Sequence, residues 1–236
     1  MALAQCGWRH FLFLLSNCSR SDLEQSRFYL LALRVKIQIM VKKYIVAIDE
    51  AGRGPLAGPI AVAAVAATAN SKLLKNIRDS KKLSVKQREE WFEILKDNFE
   101  YKVVMVGPQI IDRIGIQRAT KLAVARVLRK ISRAIEFTIV RDISRNKPLV
   151  LLDGLLKAPK HYEQKTIIRG DEKIPLISAA SVIAKVVRDK KMRRLHRLYP
   201  EYCLDCHKGY GTKKHYKMLK KNGVSEIHRK TFLKNL

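Results

Sequence analysis

The chain has 236 residues, 47% of them hydrophobic, which is enough for one sizeable core and too many for a disordered polypeptide. Its 48 Lys and Arg against 21 Asp and Glu leave a formal charge of +27, the electrostatic footprint of a protein that meets polyanions. No apolar run approaches the roughly 18–20 residues of a helical membrane span, so no membrane partner is expected.

Residues 1–40 read as an irregular N-terminal extension. They carry apolar patches at Phe11–Leu15 and Phe28–Leu33 without clean periodicity. A signal peptide and an organellar presequence are both poor matches, and Met40 is the expected translation start, because orderly patterning begins just after it. Residues 41–236 are expected to form one domain. Tyr44–Ile48 reads as a buried strand with Asp49 and Glu50 at its tip. Ala51 to Pro59 holds three glycines and two prolines and reads as a loop. Ile60–Ala67 is a second strand. Asp79-Ser80-Lys81-Lys82 is a loop before Ser84, the expected N-cap of a helix through Trp91 and Leu95. Tyr101–Val106 is a third strand. Helical spacing follows at Ile116, Leu122, Ala123, Val127 and Leu128. Leu149–Leu152 is an apolar run that again ends in an acid, Asp153. Thr166–Ile168 is a brief strand before Gly170-Asp171. Pro175 opens a long helix that runs to near Pro200, and a last helix covers Thr212 to Lys221 before Asn222-Gly223. Alternating strands and helices predict an α/β layer fold with a central sheet.

Acids are scarce, so those at strand ends stand out. Converging carboxylates repel one another unless cations neutralise them, and hard divalent ions, Mg²⁺ or Mn²⁺, prefer such oxygen ligands. Two such ions can activate water and stabilise the leaving oxygen of a phosphodiester. A basic protein with an acidic metal cluster therefore fits a nuclease. For any single acid an ordinary strand-end role competes; Asp49-Glu50, directly before a glycine-rich loop, is the strongest pair. Gly52-Arg53-Gly54 lets backbone groups approach a sugar or phosphate. Lys208-Gly209-Tyr210-Gly211-Thr212 offers a ring that could stack on a sugar and a hydroxyl that could reach a 2′-OH, with core packing as the alternative. Between Lys185 and Lys221 there are 13 basic and 3 acidic residues, a strip suited to phosphates or to plain solvation. Asp189 within it reads as an ion-pair partner. Cys203 and Cys206 form a CxxC without a second matching pair, so a zinc site is the weaker reading and reduced thiols the simpler one.

Taken together, these motifs resemble ribonuclease HII. Asp49-Glu50-Ala51-Gly52-Arg53-Gly54-Pro55-Leu56-Ala57-Gly58-Pro59 is similar to the family's opening motif and Asp79-Ser80-Lys81-Lys82-Leu83 to its next. Leu152-Asp153-Gly154, then Gly170-Asp171 with Ser178 to Val186 and Arg188-Asp189, continue the series. His207 to Lys213 and Ile227 to Phe232 close it, in order across Tyr44 to Phe232. The resemblance implies an α/β ribonuclease H-like fold, a central mixed sheet flanked by helices with further helices at the C-terminus. It implies that Asp49, Glu50, Asp153 and Asp171 hold Mg²⁺ or Mn²⁺ and are catalytic. It implies that Gly52, Arg53, Gly54 and Tyr210 recognise the ribose 2′-OH, while Asp79, Ser80, Lys81, Lys185 and Lys208 hold the backbone. The implied substrates are RNA/DNA hybrids and duplex DNA with embedded ribonucleotides, cut on the 5′ side of the ribonucleotide to leave 3′-hydroxyl and 5′-phosphate ends, by a cytoplasmic monomer serving replication and repair. The sister family, ribonuclease HIII, is the nearest rival; a non-catalytic nucleic-acid-binding protein and a junction resolvase are the others.

Overall fold

A computed structural model describes residues 44–68, 73–74, 77, 83–138 and 148–233. The extension at 1–40 and the expected contacts Asp79, Ser80 and Lys81 lie outside the described residues. Five strands form one sheet in the order β3-β2-β1-β4-β5. They are β1 (Tyr44–Ala51), β2 (Ile60–Thr68), β3 (Glu100–Val106), β4 (Leu149–Asp153) and β5 (Gln164–Ile167). β1, β2 and β3 form an antiparallel meander, whereas β1, β4 and β5 run parallel, so the sheet is mixed.

The alternation of side chains along β1 sorts the molecule into layers. Val46 and Ile48 enter one core with Ile111 of helix α2 (Pro108–Ile114) and with Ala123, Leu128 and Ile131 of α3 (Ile116–Thr138). Ala47 and Ala51 enter the other, against Phe92 and Leu95 of α1 (Val85–Asn98) and Ile183 of the long helix α5 (Pro175–Leu198). Ser84 caps α1 in a reciprocal capping box with Gln87, as its sequence predicts. The helical spacing that begins at Ile116 is α3, and α2 precedes it, set apart by Gly115 at φ +79°.

A third apolar cluster joins Leu56 and Ala57 to Met192, Leu195, Tyr202, Leu204, Leu219 and Ile227. It seats α6 (Leu204–His207) and α7 (Lys213–Asn222), the C-terminal helices, against the glycine-rich loop after β1. No helix among the described residues is long and apolar enough to cross a membrane.

Candidate active site

β1 and β4 are parallel neighbours with Ile48 opposite Leu152, so Asp49 and Asp153 come off adjacent strands at the same edge. Asp49 continues the Ala47–Ala51 side of β1, toward α5, and accepts a hydrogen bond from Ser181. Two elements differ from expectation. The Asp49-Glu50 pair is inside β1, paired with Ala63 and Val62, and does not cap a shorter strand. Asp171 does not sit at a strand end but in the short helix α4 (Gly170–Lys173). Asp153 brings that helix in: its Oδ1 accepts from the amides of Gly170 at 2.6 Å and Asp171 at 3.3 Å. A Cβ on Gly170 would lie 2.6 Å from Ile177 Cδ1 and 3.2 Å from Asp153 Oδ1, so a larger residue would have to displace the end of the Ile177 side chain. Ser178 Oγ donates to the Asp171 carbonyl at 2.5 Å and ties α4 to α5.

One carboxylate oxygen each from Asp49, Asp153 and Asp171 lies within 4.8 Å of the other two, and Asp49 and Asp171 are buried. At an effective dielectric of about 20, each charged pair at that separation costs about 3 kcal/mol. Burial, followed by the charges of Glu50 and Asp153, raises the Asp49 carboxyl well above its ordinary value. Glu50 lies beside the trio. Its carboxyl is also raised, chiefly by burial and then by Asp153, against the pull of Arg53 at 3.7 Å. Its Oε2 is buried without a hydrogen-bond partner among the described residues. A cluster this rich in oxygen donors and this poor in compensating charge fits a divalent cation. Cys203 and Cys206 are free thiols, and Lys214 Nζ lies 3.4 Å from Cys206 Sγ. Among the described residues the three aspartates are the one cluster suited to a metal.

The Gly52-Arg53-Gly54 loop and the Tyr210 loop meet beside this cluster. Leu56 and Ala57 donate their amides to the Gly209 carbonyl at 2.8 and 3.3 Å. Gly209 has φ +83°, and a Cβ there would stand 2.5 Å from the Ala57 carbonyl oxygen. Tyr210 is 42% exposed, with Lys185 Nζ 5.9 Å and Arg188 Cζ 5.7 Å from its ring centre. Lys185 also pairs with Asp189 at 3.0 Å, the ion pair expected of that acid. Lys208 is half-buried in a left-handed conformation and donates to the Asp205 carbonyl. Arg188 departs from the solvated basic strip. It is 1% exposed and donates to the Pro59 and Ala57 carbonyls at 3.0 and 3.3 Å, lying where a Gly52 Cβ would be.

The family model for ribonuclease HII matches residues 46–235. This chain belongs to the ribonuclease HII family. The ribonuclease HII of Caldicellulosiruptor bescii is 43% identical over 195 residues, 82% of this chain and 88% of that protein. The crystal structure of ribonuclease H2 from Pyrococcus horikoshii is 27% identical with a TM-score of 0.58, covering 81% of this chain and 100% of that one. The ribonuclease HII of Archaeoglobus fulgidus, solved in complex with PCNA, is 26% identical with a TM-score of 0.57, over 78% and 93% of the two chains. Membership makes the protein a hydrolase, a nuclease of the ribonuclease H kind, and the α/β fold is that of its structural neighbours.

Three features beside the candidate site escape a reading of the sequence. Arg188 and Arg229 are buried cations that bond backbone carbonyls far away in the chain. His207, His215 and His228 form a buried cluster, His207 stacked on His215 at 4.2 Å and His215 Nε2 lying 3.2 Å from His228 Nε2. No periodicity marks any of them; only the motifs containing them do.

Proposed function

We propose that this nuclease cuts the RNA strand of RNA/DNA hybrids and the 5′ side of single ribonucleotides in duplex DNA, leaving 3′-hydroxyl and 5′-phosphate ends. The observation that carries the reading is the convergence of Asp49, Asp153 and Asp171 next to the joined Gly52–Gly54 and Tyr210 loops. Asp49, Asp153 and Asp171, with Glu50 as the fourth carboxylate, would hold the divalent ions, Mg²⁺ or Mn²⁺. Such a pair supplies an activated water and charge stabilisation at the leaving oxygen when bound. The protein's own residues do the rest. Asp153 keeps α4 in place through the Gly170 and Asp171 amides. Backbone groups of Gly52, Arg53 and Gly54, with the half-exposed Tyr210, face the ribose, where the 2′-OH separates RNA from DNA. Lys185, Lys208 and the outer basic side chains after them, with Asp79, Ser80 and Lys81, hold the duplex backbone. In this reading residues 41–236 are the catalytic domain, working as a cytoplasmic monomer in ribonucleotide removal, and 1–40 are an extension.

The experiment is incubation of a labelled duplex carrying one internal ribonucleotide with Mg²⁺, with Mn²⁺ and with chelator, beside an all-DNA control. Metal-dependent cutting 5′ to the ribonucleotide with the control intact is the expected result. Cutting confined to long hybrids would overturn the single-ribonucleotide reading and favour the specificity of the sister family.

A further inference from the structure

Arg229 is fully buried, with no side-chain oxygen of Asp or Glu bonded to it among the described residues. Its guanidinium spends its donors on one loop: Nη2 on the Gly52 carbonyl at 2.6 Å, Nη1 on the Arg53 carbonyl at 2.8 Å and Nε on the Gly58 carbonyl at 3.0 Å. Its own amide donates to the Leu56 carbonyl at 2.7 Å, and neighbouring His228 bridges to Ala57. Burial and the nearby Arg188 push the Arg229 guanidinium down to about 9, so the cation is held at a cost by carbonyl dipoles.

A trans peptide places N–H opposite C=O in one plane. With the Gly52 and Arg53 carbonyls drawn onto Arg229, the amides of Arg53 and Gly54 must point the other way, away from that guanidinium. Neither amide has a hydrogen-bond partner among the described residues. Gly54 is exposed, and an added Cβ on it would meet no atom of the described residues within 4 Å. Two consecutive donors so directed suit a ribose oxygen.

The same C-terminal segment reaches the Tyr210 half of the site. His228 Nδ1 accepts from the Ser225 amide at 3.2 Å, which makes His228 Nε2–H the donor toward His215 Nε2 at 3.2 Å. His215 Nδ1–H then donates to the Tyr210 carbonyl at 2.9 Å. The Tyr210 amide is held in turn by the His207 carbonyl at 2.9 Å.

The geometry points to Arg229 as a positioning residue for ribose recognition, aiming the Arg53 and Gly54 amides away from its guanidinium while its neighbour His228 fixes Tyr210 through His215. This deepens the proposed function and rests on it. Arg229 touches no substrate. Lysine in its place has one nitrogen and cannot span three carbonyls, whereas arginine's planar fork can.

The test compares wild type, Arg229→Lys and Arg229→Ala by steady-state kinetics on the one-ribonucleotide duplex with Mg²⁺. For Arg229→Lys, kcat falls about a hundredfold, the effect of a misplaced recognition group. KM stays within about threefold, because the basic strip still binds the duplex. Ethylguanidinium, which fits the vacated cavity, restores part of the kcat of Arg229→Ala and does nothing for wild type. Wild-type kcat in Arg229→Lys overturns the inference. So does a joint loss of kcat, KM and melting temperature without ethylguanidinium recovery, the mark of a purely structural arginine. If wild type cuts long hybrids but not the single-ribonucleotide duplex, the junction reading fails by itself, and the same comparison on the hybrid decides the role of Arg229.

Discussion

The histidine cluster should make the folded protein sensitive to mild acid, and the size of the effect follows chiefly from its burial. All three rings are neutral in one consistent arrangement. His207 Nδ1 accepts from the Gly209 amide at 3.2 Å while its Nε2–H donates to the Tyr202 carbonyl at 2.9 Å, and the His228–His215 pair has its own fixed polarity. A second proton on any ring would set N–H against N–H. Burial, followed by His215, pushes both His207 and His228 from 6.5 down to about 4, and burial also lowers His215. The unfolded chain therefore takes up protons that the folded chain refuses. This contribution is complete above about 6.5 and is lost as pH falls from there toward about 4. By about pH 5 the loss is about 2 kcal/mol for each of His207 and His228, or about 4 kcal/mol together. That is a large share of a typical stability of about 5–15 kcal/mol. The raised carboxyls of Asp49 and Glu50 act oppositely, since acid relieves their repulsion, so the wild-type curve alone mixes two signs. His228→Gln separates them: its amide can still donate toward His215 but does not titrate. Urea unfolding in chelator, followed by circular dichroism between about pH 7 and about pH 5, should show His228→Gln losing about 2 kcal/mol less than wild type. Parallel stability lines for the two proteins would refute the neutral-cluster reasoning.

Other perturbations probe the rest of the site. Asp171→Asn should lower cleavage by about a thousandfold, the loss of several kcal/mol of metal-held charge stabilisation. Duplex affinity, measured by fluorescence anisotropy in chelator, should stay level or rise, because a repulsive acid is gone. Tyr210→Ala should reduce kcat/KM on the one-ribonucleotide duplex by about tenfold or more while leaving all-DNA affinity unchanged; equal losses in both assays would make Tyr210 a packing residue. Gly209→Ala should cost about 3 kcal/mol in urea unfolding, combining the strain of positive φ with the clash at the Ala57 carbonyl.

What could be read in the sequence was what is written locally. β2, α1 and α5 follow from apolar spacing and from their caps, Ser84 and Pro175, and their observed ranges agree with that reading. The strand carrying Asp49 runs longer than its apolar run suggests, because ladder pairing with Ala63 and Val62 carries it through two acids. Asp171 could be picked out as an acid but not placed in a helix, since α4 is a single turn held by Asp153 and Ser178 from elsewhere in the chain. Charge counting put Arg188 in a phosphate-binding strip, yet that guanidinium is buried under the Gly52 loop.

Arg188 and Arg229 share a reason for having been invisible. A guanidinium that bonds carbonyls leaves no acidic partner in the sequence to signal its burial, and its acceptors are 129 to 177 residues away. The carbonyls the two guanidinium groups bind are those of Gly52, Arg53, Ala57, Gly58 and Pro59, backbone acceptors whose side chains carry no trace of the contact. The loop proposed to face the ribose is therefore shaped from behind, by cations that look in the sequence like every other basic residue of a protein with 48 of them. The aspartates show where the chemistry can occur; the orientation of the amides that would select the sugar depends on a contact that only the folded chain makes.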